Sequence, residues 1–233
     1  MKFYLVLDFE TSGRNPEGAQ PVELGAVLLD KKTLGILSEF HALITFDPER
    51  FTWSAEAEAT HGITRETLQE QGVPMAEAWS SFVEWVGSWI DLEATGEVMF
   101  CGQNLLFDLR FLQLLAGVDP LEELLPPWAC RTIRDTMQWA GLVNQATIDG
   151  SGFRAAPFKD PETGHPSVAL ENLALSLGIQ SGGAHSALED ARTTARVMAA
   201  ILEALAGDLA NSRRWERYLE RIRSKTIPQK ASF

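Results

Sequence analysis

Asp8 and Glu10 stand two residues apart at the end of an apolar run, Leu5-Val6-Leu7-Asp8-Phe9-Glu10-Thr11. On a β-strand, residues i and i+2 share a face, so both carboxylates point the same way. Side by side, two acids repel and raise each other's pKa unless something positive lies between them. A divalent ion is the simplest neutraliser, because Mg²⁺ and Mn²⁺ favour carboxylate oxygens. On this stretch alone, a strand end opening into a polar turn with solvated acids fits equally well. A second group is Ala184-His185-Ser186-Ala187-Leu188-Glu189-Asp190-Ala191. Ser186 and Glu189 have capping-box spacing, which predicts a helix from Ser186, with His185 just outside it and Asp190 near its first turn. A histidine that can be neutral near pH 7 beside a carboxylate suits a general base paired with a metal ligand; a surface histidine ahead of a capped helix is the plainer alternative. In Cys101-Gly102-Gln103-Asn104-Leu105-Leu106-Phe107-Asp108, the aspartate falls at the start of an otherwise apolar helix that follows a buried strand. The helix dipole favours an acid there, and ligands of open α/β sheets gather at the same place. Together the three groups supply four carboxylates and one histidine. Phosphodiester hydrolysis by two metal ions roughly 3.5–4 Å apart needs such a set, one ion activating the attacking water, the other stabilising the leaving oxygen, and a base taking the water's proton.

The elements that must position these residues follow from periodicity. Residues 3–8 predict a first strand, Val22–Leu29 a second and Ile36–Ile44 a third, with connections short enough for an antiparallel meander. Thr64 predicts an N-cap for a helix from Arg65. Pro74–Ile90 carries apolar residues at helical spacing. Glu97–Gly102 reads as a buried strand and Leu106–Ala116 as a helix ended by Gly117, the start of a βαβ unit with parallel strands. Trp128–Ile133 predicts the next strand and Asp135–Ala140 a turn of helix. Asn144–Ser167 is polar and rich in Gly and Pro, the composition of a long loop, with a turn at Asp160-Pro161-Glu162-Thr163-Gly164. Val168–Leu177 predicts a short helix, Ser186–Leu205 a long Ala-rich one, and Asn211–Arg223 a last helix before a polar tail. The expected fold is α/β: a mixed central sheet, part antiparallel meander and part parallel strands, flanked by helices.

Composition narrows the function classes. The chain has 233 residues, 45% hydrophobic, and a formal net charge of −12. An acidic surface opposes broad, non-specific nucleic-acid coating, which depends on neutralising phosphates. It leaves open a local site where metal ions supply the positive charge. No apolar run is long enough to span a membrane, and the N-terminal apolar run stops at Asp8, too short for a signal-peptide core. Cys101 and Cys130 lack metal-type spacing, which fits a reducing cytoplasm.

The motifs, in order, resemble those of the DnaQ-like 3′–5′ exonucleases of the DEDDh group, on the ribonuclease H-like fold. The family's first motif is similar to Asp8-Phe9-Glu10-Thr11, its second to Asn104-Leu105-Leu106-Phe107-Asp108 and its third to His185-Ser186-Ala187-Leu188-Glu189-Asp190. Its His-Gly-Ile segment resembles His61-Gly62-Ile63, and its Asp-Thr pair before a helix resembles Asp135-Thr136. The resemblance implies that Asp8, Glu10, Asp108 and Asp190 hold two divalent ions, Mg²⁺ or Mn²⁺, and that His185 is the general base. It places Thr11, Phe9, His61, Gln103, Asn104 and Phe107 at the substrate's 3′ end. Many members carry His where this chain has Gln103, which implies an altered end preference. Glu23 reads as structural. The implied substrate is a single-stranded or frayed 3′ end of DNA or RNA, released as 5′-mononucleotides. A polymerase or nuclease-complex subunit that binds nucleic acid without cleaving it is the rival. Residues 1–207 form the expected exonuclease domain. Residues 208–233 form a C-terminal helix and a basic tail, where Arg213, Arg214, Arg217, Arg221, Arg223, Lys225 and Lys230 can guide a phosphate backbone or simply be solvated. The 144–166 segment can frame the incoming strand as a hairpin.

Overall fold

In the computed structural model, the described residues are 1–118, 125–151, 158–182 and 185–211. Side chains of 146–151 and 204–211 fall outside the description, as does the expected last helix and basic tail from 212 onward. The chain divides into two compact units, Met1–Val197 and Met198–Phe233; the second is described as far as Asn211, as the C-terminal part of a helix.

The first unit is built on a five-stranded sheet. Its strands are β1 (Phe3–Thr11), β2 (Pro21–Asp30), β3 (Ile36–Leu43), β4 (Val98–Gly102) and β5 (Arg134–Asp135), in the order β3-β2-β1-β4-β5. β1, β2 and β3 form the antiparallel meander, whereas β4 runs parallel to β1 and β5 parallel to β4. The helices are α1 (Ala55–His61), α2 (Arg65–Gln71), α3 (Met75–Gly87), α4 (Leu105–Ala116), α5 (Thr136–Ser151), α6 (Leu170–Ser176) and α7 (Ala187–Asn211). The predicted mixed sheet with flanking helices is the observed fold. The predicted cap is present too: the Thr64 hydroxyl accepts the Thr67 N–H at 3.1 Å.

Alternation sorts the two faces. Leu5, Leu7 and Phe9 of β1 join Phe82 and Val86 of α3 and Leu105, Leu109 and Leu112 of α4 in one buried core. Asp8 and Glu10 therefore point to the opposite face. Their register partners on β2 are Gly25 and Glu23, and the start of α7 lies directly over Gly25. α7 presents Ala187, Ala191, Thr194 and Ala195 as buried residues, a narrow stripe that allows close approach to the sheet. Among the described residues, no helix is long and apolar enough to cross a membrane.

Two expectations are corrected. Trp128–Ile133 does not form one strand. Ala129 bridges Val98, and the pairing resumes only at Arg134–Asp135. Trp128 is buried against Phe100, with ring centroids 5.6 Å apart, while Arg131 and Thr132 turn outward and break the ladder. The helix expected to stop at Ala140 continues to Ser151, through the start of the segment read as loop. Asn144 is not a loop residue there. It is buried, and its amide spans the backbone of Phe158 and Ser167. Farther along, Lys159 and Pro166 pair across the Asp160–Gly164 turn as a small antiparallel hairpin.

Candidate active site

The acids meet where the two helical layers pass the C-terminal ends of β1 and β4. β4 pairs with β1 only through Val6 and ends at Gly102. Beyond that point the Phe9 N–H has no strand on its β4 side, and the Asp108 carboxylate accepts it at 3.0 Å. Asp108 is 2% exposed and arrives from the α4 layer. Asp190 and His185 arrive from the α7 layer. Oxygens of Glu10 and Asp190 and a ring nitrogen of His185 lie within 4.8 Å of one another. His185 reaches this place with φ 69°, a left-handed backbone that non-glycine residues adopt rarely.

The electrostatics are those of buried acids crowded together. Burial, then the charges of Asp108, Asp190 and Glu10, holds Asp8 well above the usual carboxylate range. Burial, then Asp190 and Glu23, lifts Glu10 to about 8. Asp108 is raised chiefly by burial, against the pull of the Phe9 N–H. Burial also raises Asp190, with His185 acting the other way. Folded-state pKa values above those of the unfolded chain, near 4 for carboxyls, mean that the folded protein holds more protons through that window. Stability from these groups is complete below about pH 4 and is lost as pH rises toward the folded values. The oppositely shifted acids, Glu23 and Glu39, gain their stability as pH rises through the ordinary glutamate range, below most of the pH 5–8 window. The melting temperature of the metal-free protein is therefore expected to fall between pH 5 and pH 8, and Mg²⁺ or Mn²⁺ to raise it more at pH 8. Thermal unfolding at both pH values checks this; an equal metal shift at the two would contradict it.

Three neighbours hold the site. Burial pushes Glu23 up, but bonds from His41, Ala187 and Ser186 outweigh it and bring its pKa below the ordinary value. Its carboxylate takes the Ala187 N–H at 3.0 Å, the Ser186 hydroxyl at 3.2 Å and His41 Nε2 at 2.6 Å. The expected capping box is thus replaced: Ser186 turns to Glu23, and Glu189 pairs with Arg192, which also grips Glu39 on β3. Asp135 is the second support. One oxygen takes the N–H groups of Asn104, Met137 and Gln138 and the other that of Leu105, so a single carboxylate caps the starts of α4 and α5. The third is Gly25. A Cβ there would lie 2.2 Å from the Leu188 backbone nitrogen, so only glycine admits α7 this close.

The expected substrate residues are placed unevenly. Thr11 is buried, with its hydroxyl on the Gly13 carbonyl at 2.8 Å. Phe9 lies in the core and contributes its backbone to Asp108. His61 accepts the Ile63 N–H on Nδ1 at 3.0 Å, which leaves the proton on Nε2. That Nε2 is buried and has no hydrogen-bond partner. Burial lowers the His61 pKa, and the Thr11 backbone opposes this. Phe107 is half-buried against Phe111. Asn104 is exposed and adopts φ 58° as the residue before α4. Gln103 is tied at both ends of its amide, to the Val168 carbonyl at 2.6 Å and to the Thr136 hydroxyl, so protein partners set its orientation.

Residues 5–116 match the profile of the RNase_T family, described as exonuclease. Over 204 residues, 86% of the chain, it is 28% identical to the PolC-type DNA polymerase III of Thermotoga petrophila, of which it spans only 12%. It is 26% identical over the same share to ribonuclease T of Buchnera aphidicola, covering 84% of that protein. Among solved structures, exonuclease I from Methylocaldum szegediense superposes with a TM-score of 0.68 at 22% identity, over 87% of this chain and 41% of that one. E. coli exonuclease I in complex with a dT13 oligonucleotide gives 0.66 at 18%, over 95% and 43%. The exonuclease profile runs from β1 through α4, and the likeness to the exonuclease I fold extends over most of the chain, across the remaining strands.

Proposed function

We propose that this chain is a 3′–5′ exonuclease that releases 5′-mononucleotides from single-stranded or frayed 3′ ends, within a domain spanning residues 1–207. The observation that carries the reading is the meeting of Asp8, Glu10, Asp108, Asp190 and His185 at one end of the sheet, drawn from β1, α4 and the start of α7. The donor set fits hard divalent cations, since it is nearly all carboxylate oxygen and each acid raises its neighbours' pKa. Asp8, Glu10, Asp108 and Asp190 would hold two such ions, Mg²⁺ or Mn²⁺. When bound they would supply positive charge to the phosphate oxygens and acidify a water. His185, beside Glu10 and Asp190, takes the proton of the attacking water on a ring nitrogen. Thr11, Phe9, His61, Asn104 and Phe107 flank the position of the terminal nucleotide.

The test is release of mononucleotides from oligonucleotides labelled at the 5′ end, DNA and RNA side by side, with Mg²⁺ or Mn²⁺ and with chelator. Stepwise shortening from the 3′ end with metal only is the expected result; intact substrate under every condition would discard the reading. His185→Ala is expected to lower kcat by about 10²–10⁴-fold, the range for a positioned general base. It should also remove the rise of activity with pH through the histidine range. A profile unchanged in shape would reassign the base.

The likeness to PolC-type polymerases supports a second possibility, that the chain works beside a polymerase. Co-purification of a polymerase subunit with the tagged chain checks it, and an isolated chain would count against it.

A further inference from the structure

A groove of about 820 Å³ lies outside the acid cluster yet starts from the same two elements. One wall is the loop after β1, at Asn15-Pro16-Glu17; the other is the face of α4 that carries Leu106, Arg110 and Gln113. The floor continues to Gly117, and at 1.5 Å per residue Leu106 and Gly117 are about 16 Å apart along the helix. Both walls begin within a few residues of the site, at Thr11 and at Asp108.

Its lining is basic in an acidic chain. In a chain of net charge −12, Arg50 and Arg110 line this groove, with Glu17 its one acid. Elsewhere, Lys2, Arg14 and Arg192 are matched to carboxylates. Arg110 is exposed with no carboxylate partner among the described residues, and Arg50 is exposed and rests over the Phe51 ring at 5.1 Å. Gln113 is 7% exposed, and its side-chain nitrogen has no hydrogen-bond partner. Such a buried donor is costly unless something completes it. At the mouth, Leu106 is 48% exposed.

We infer that this groove is a track for the strand 5′ of the terminal nucleotide. Arg50 and Arg110 hold backbone phosphates, Gln113 donates to a phosphate or base oxygen, and Leu106 offers an apolar seat for a base at the mouth. The charge is local, so the acidic remainder still repels non-specific nucleic acid. The inference rests on the exonuclease reading of the site, and substrate length separates the two. A dinucleotide fills the acid cluster, whereas (dT)12 also extends along α4.

In the Arg50→Ala/Arg110→Ala protein, the ratio of kcat/KM on (dT)12 to that on dTpdT is expected to fall about tenfold at low salt. Binding of labelled (dT)12, followed by fluorescence anisotropy in an Asp8→Asn background, should lose about 0.7 of log–log salt slope per phosphate contact removed. An unchanged ratio together with an unchanged slope, in a double variant that melts like the parent, overturns the track. If the parent cleaves neither substrate, the exonuclease reading has failed, and the salt slope alone then decides whether the groove holds single strands.

Discussion

Asp8→Asn and Asp190→Asn are each expected to abolish cleavage while leaving a folded, and at pH 8 more stable, metal-free protein. The two effects have one cause. Asp8 lies at the centre of the cluster, where Asp108, Asp190 and Glu10 all raise its pKa on top of burial. An amide of the same shape removes one of these charges and relieves the others. It also removes a ligand oxygen. Charge stabilisation by a bound metal contributes several kcal/mol at the transition state, so loss of a ligand is expected to cost about 10³-fold or more, at 1.36 kcal/mol per decade. Asp190→Asn acts from the other layer, since its oxygen is grouped with Glu10 and His185. The measurements are single-turnover release of mononucleotide and thermal unfolding with and without Mn²⁺. Each variant should lose most of the metal-induced rise in melting temperature that the parent shows at pH 8. Near-parental turnover in either variant would remove that residue from the ligand set. Turnover lost together with a lower metal-free melting temperature would show that the carboxylate supports the fold instead.

How much of this was legible in the sequence depends on how far each signal had to travel. Asp8 and Glu10 declare a shared face through strand alternation, and His185 and Asp190 declare a helix start within six residues; both are local patterns. The supports are not local. Glu23 lies 164 residues from the Ala187 N–H it accepts, and Asp135 lies 31 from Asn104. Nothing in the neighbourhood of either residue reveals a partner that distant, so Glu23 reads as structural without a named partner. Ser186 and Glu189 show the opposite failure. Their spacing is that of a capping box, yet Glu23 and Arg192 offer charged partners, and a charge-assisted bond is stronger than the neutral local one. The helix through Gly141 and Asn144 was hidden by residues that usually mark loops, because burial of the Asn144 amide against Phe158 and Ser167 supplies a reason for it that composition cannot.

Gly25→Ala is expected to be the most damaging single-methyl change in the described structure. An added Cβ would fall 2.2 Å from Leu188 N, 2.3 Å from the Ala187 carbonyl carbon and 2.4 Å from its oxygen. All three are backbone atoms, so no rotamer change relieves the contact. The start of α7 must retreat, or β2 must bow away from it. Either motion stretches the Glu23 bonds to Ala187 and Ser186 and carries His185 and Asp190 off the acids of β1 together. A displacement of about 1 Å at a reacting group can cost about 10²-fold; here base and ligand move at once, so a loss beyond that of His185→Ala is expected. Overpacking alone costs about 1–3 kcal/mol, a fall in melting temperature of about 2–4 °C for each kcal/mol in a chain of this size. Gly141→Ala supplies the contrast, since the nearest atom to its Cβ, Val168 Cγ1, lies at 3.9 Å. Within α5 that change is expected to stabilise by about 0.5–1 kcal/mol and leave turnover alone. If Gly25→Ala melted and turned over like the parent, the close seat of α7 on β2 could not be what aligns the two halves of the site, and the alignment would have to come from the Glu23 bonds alone.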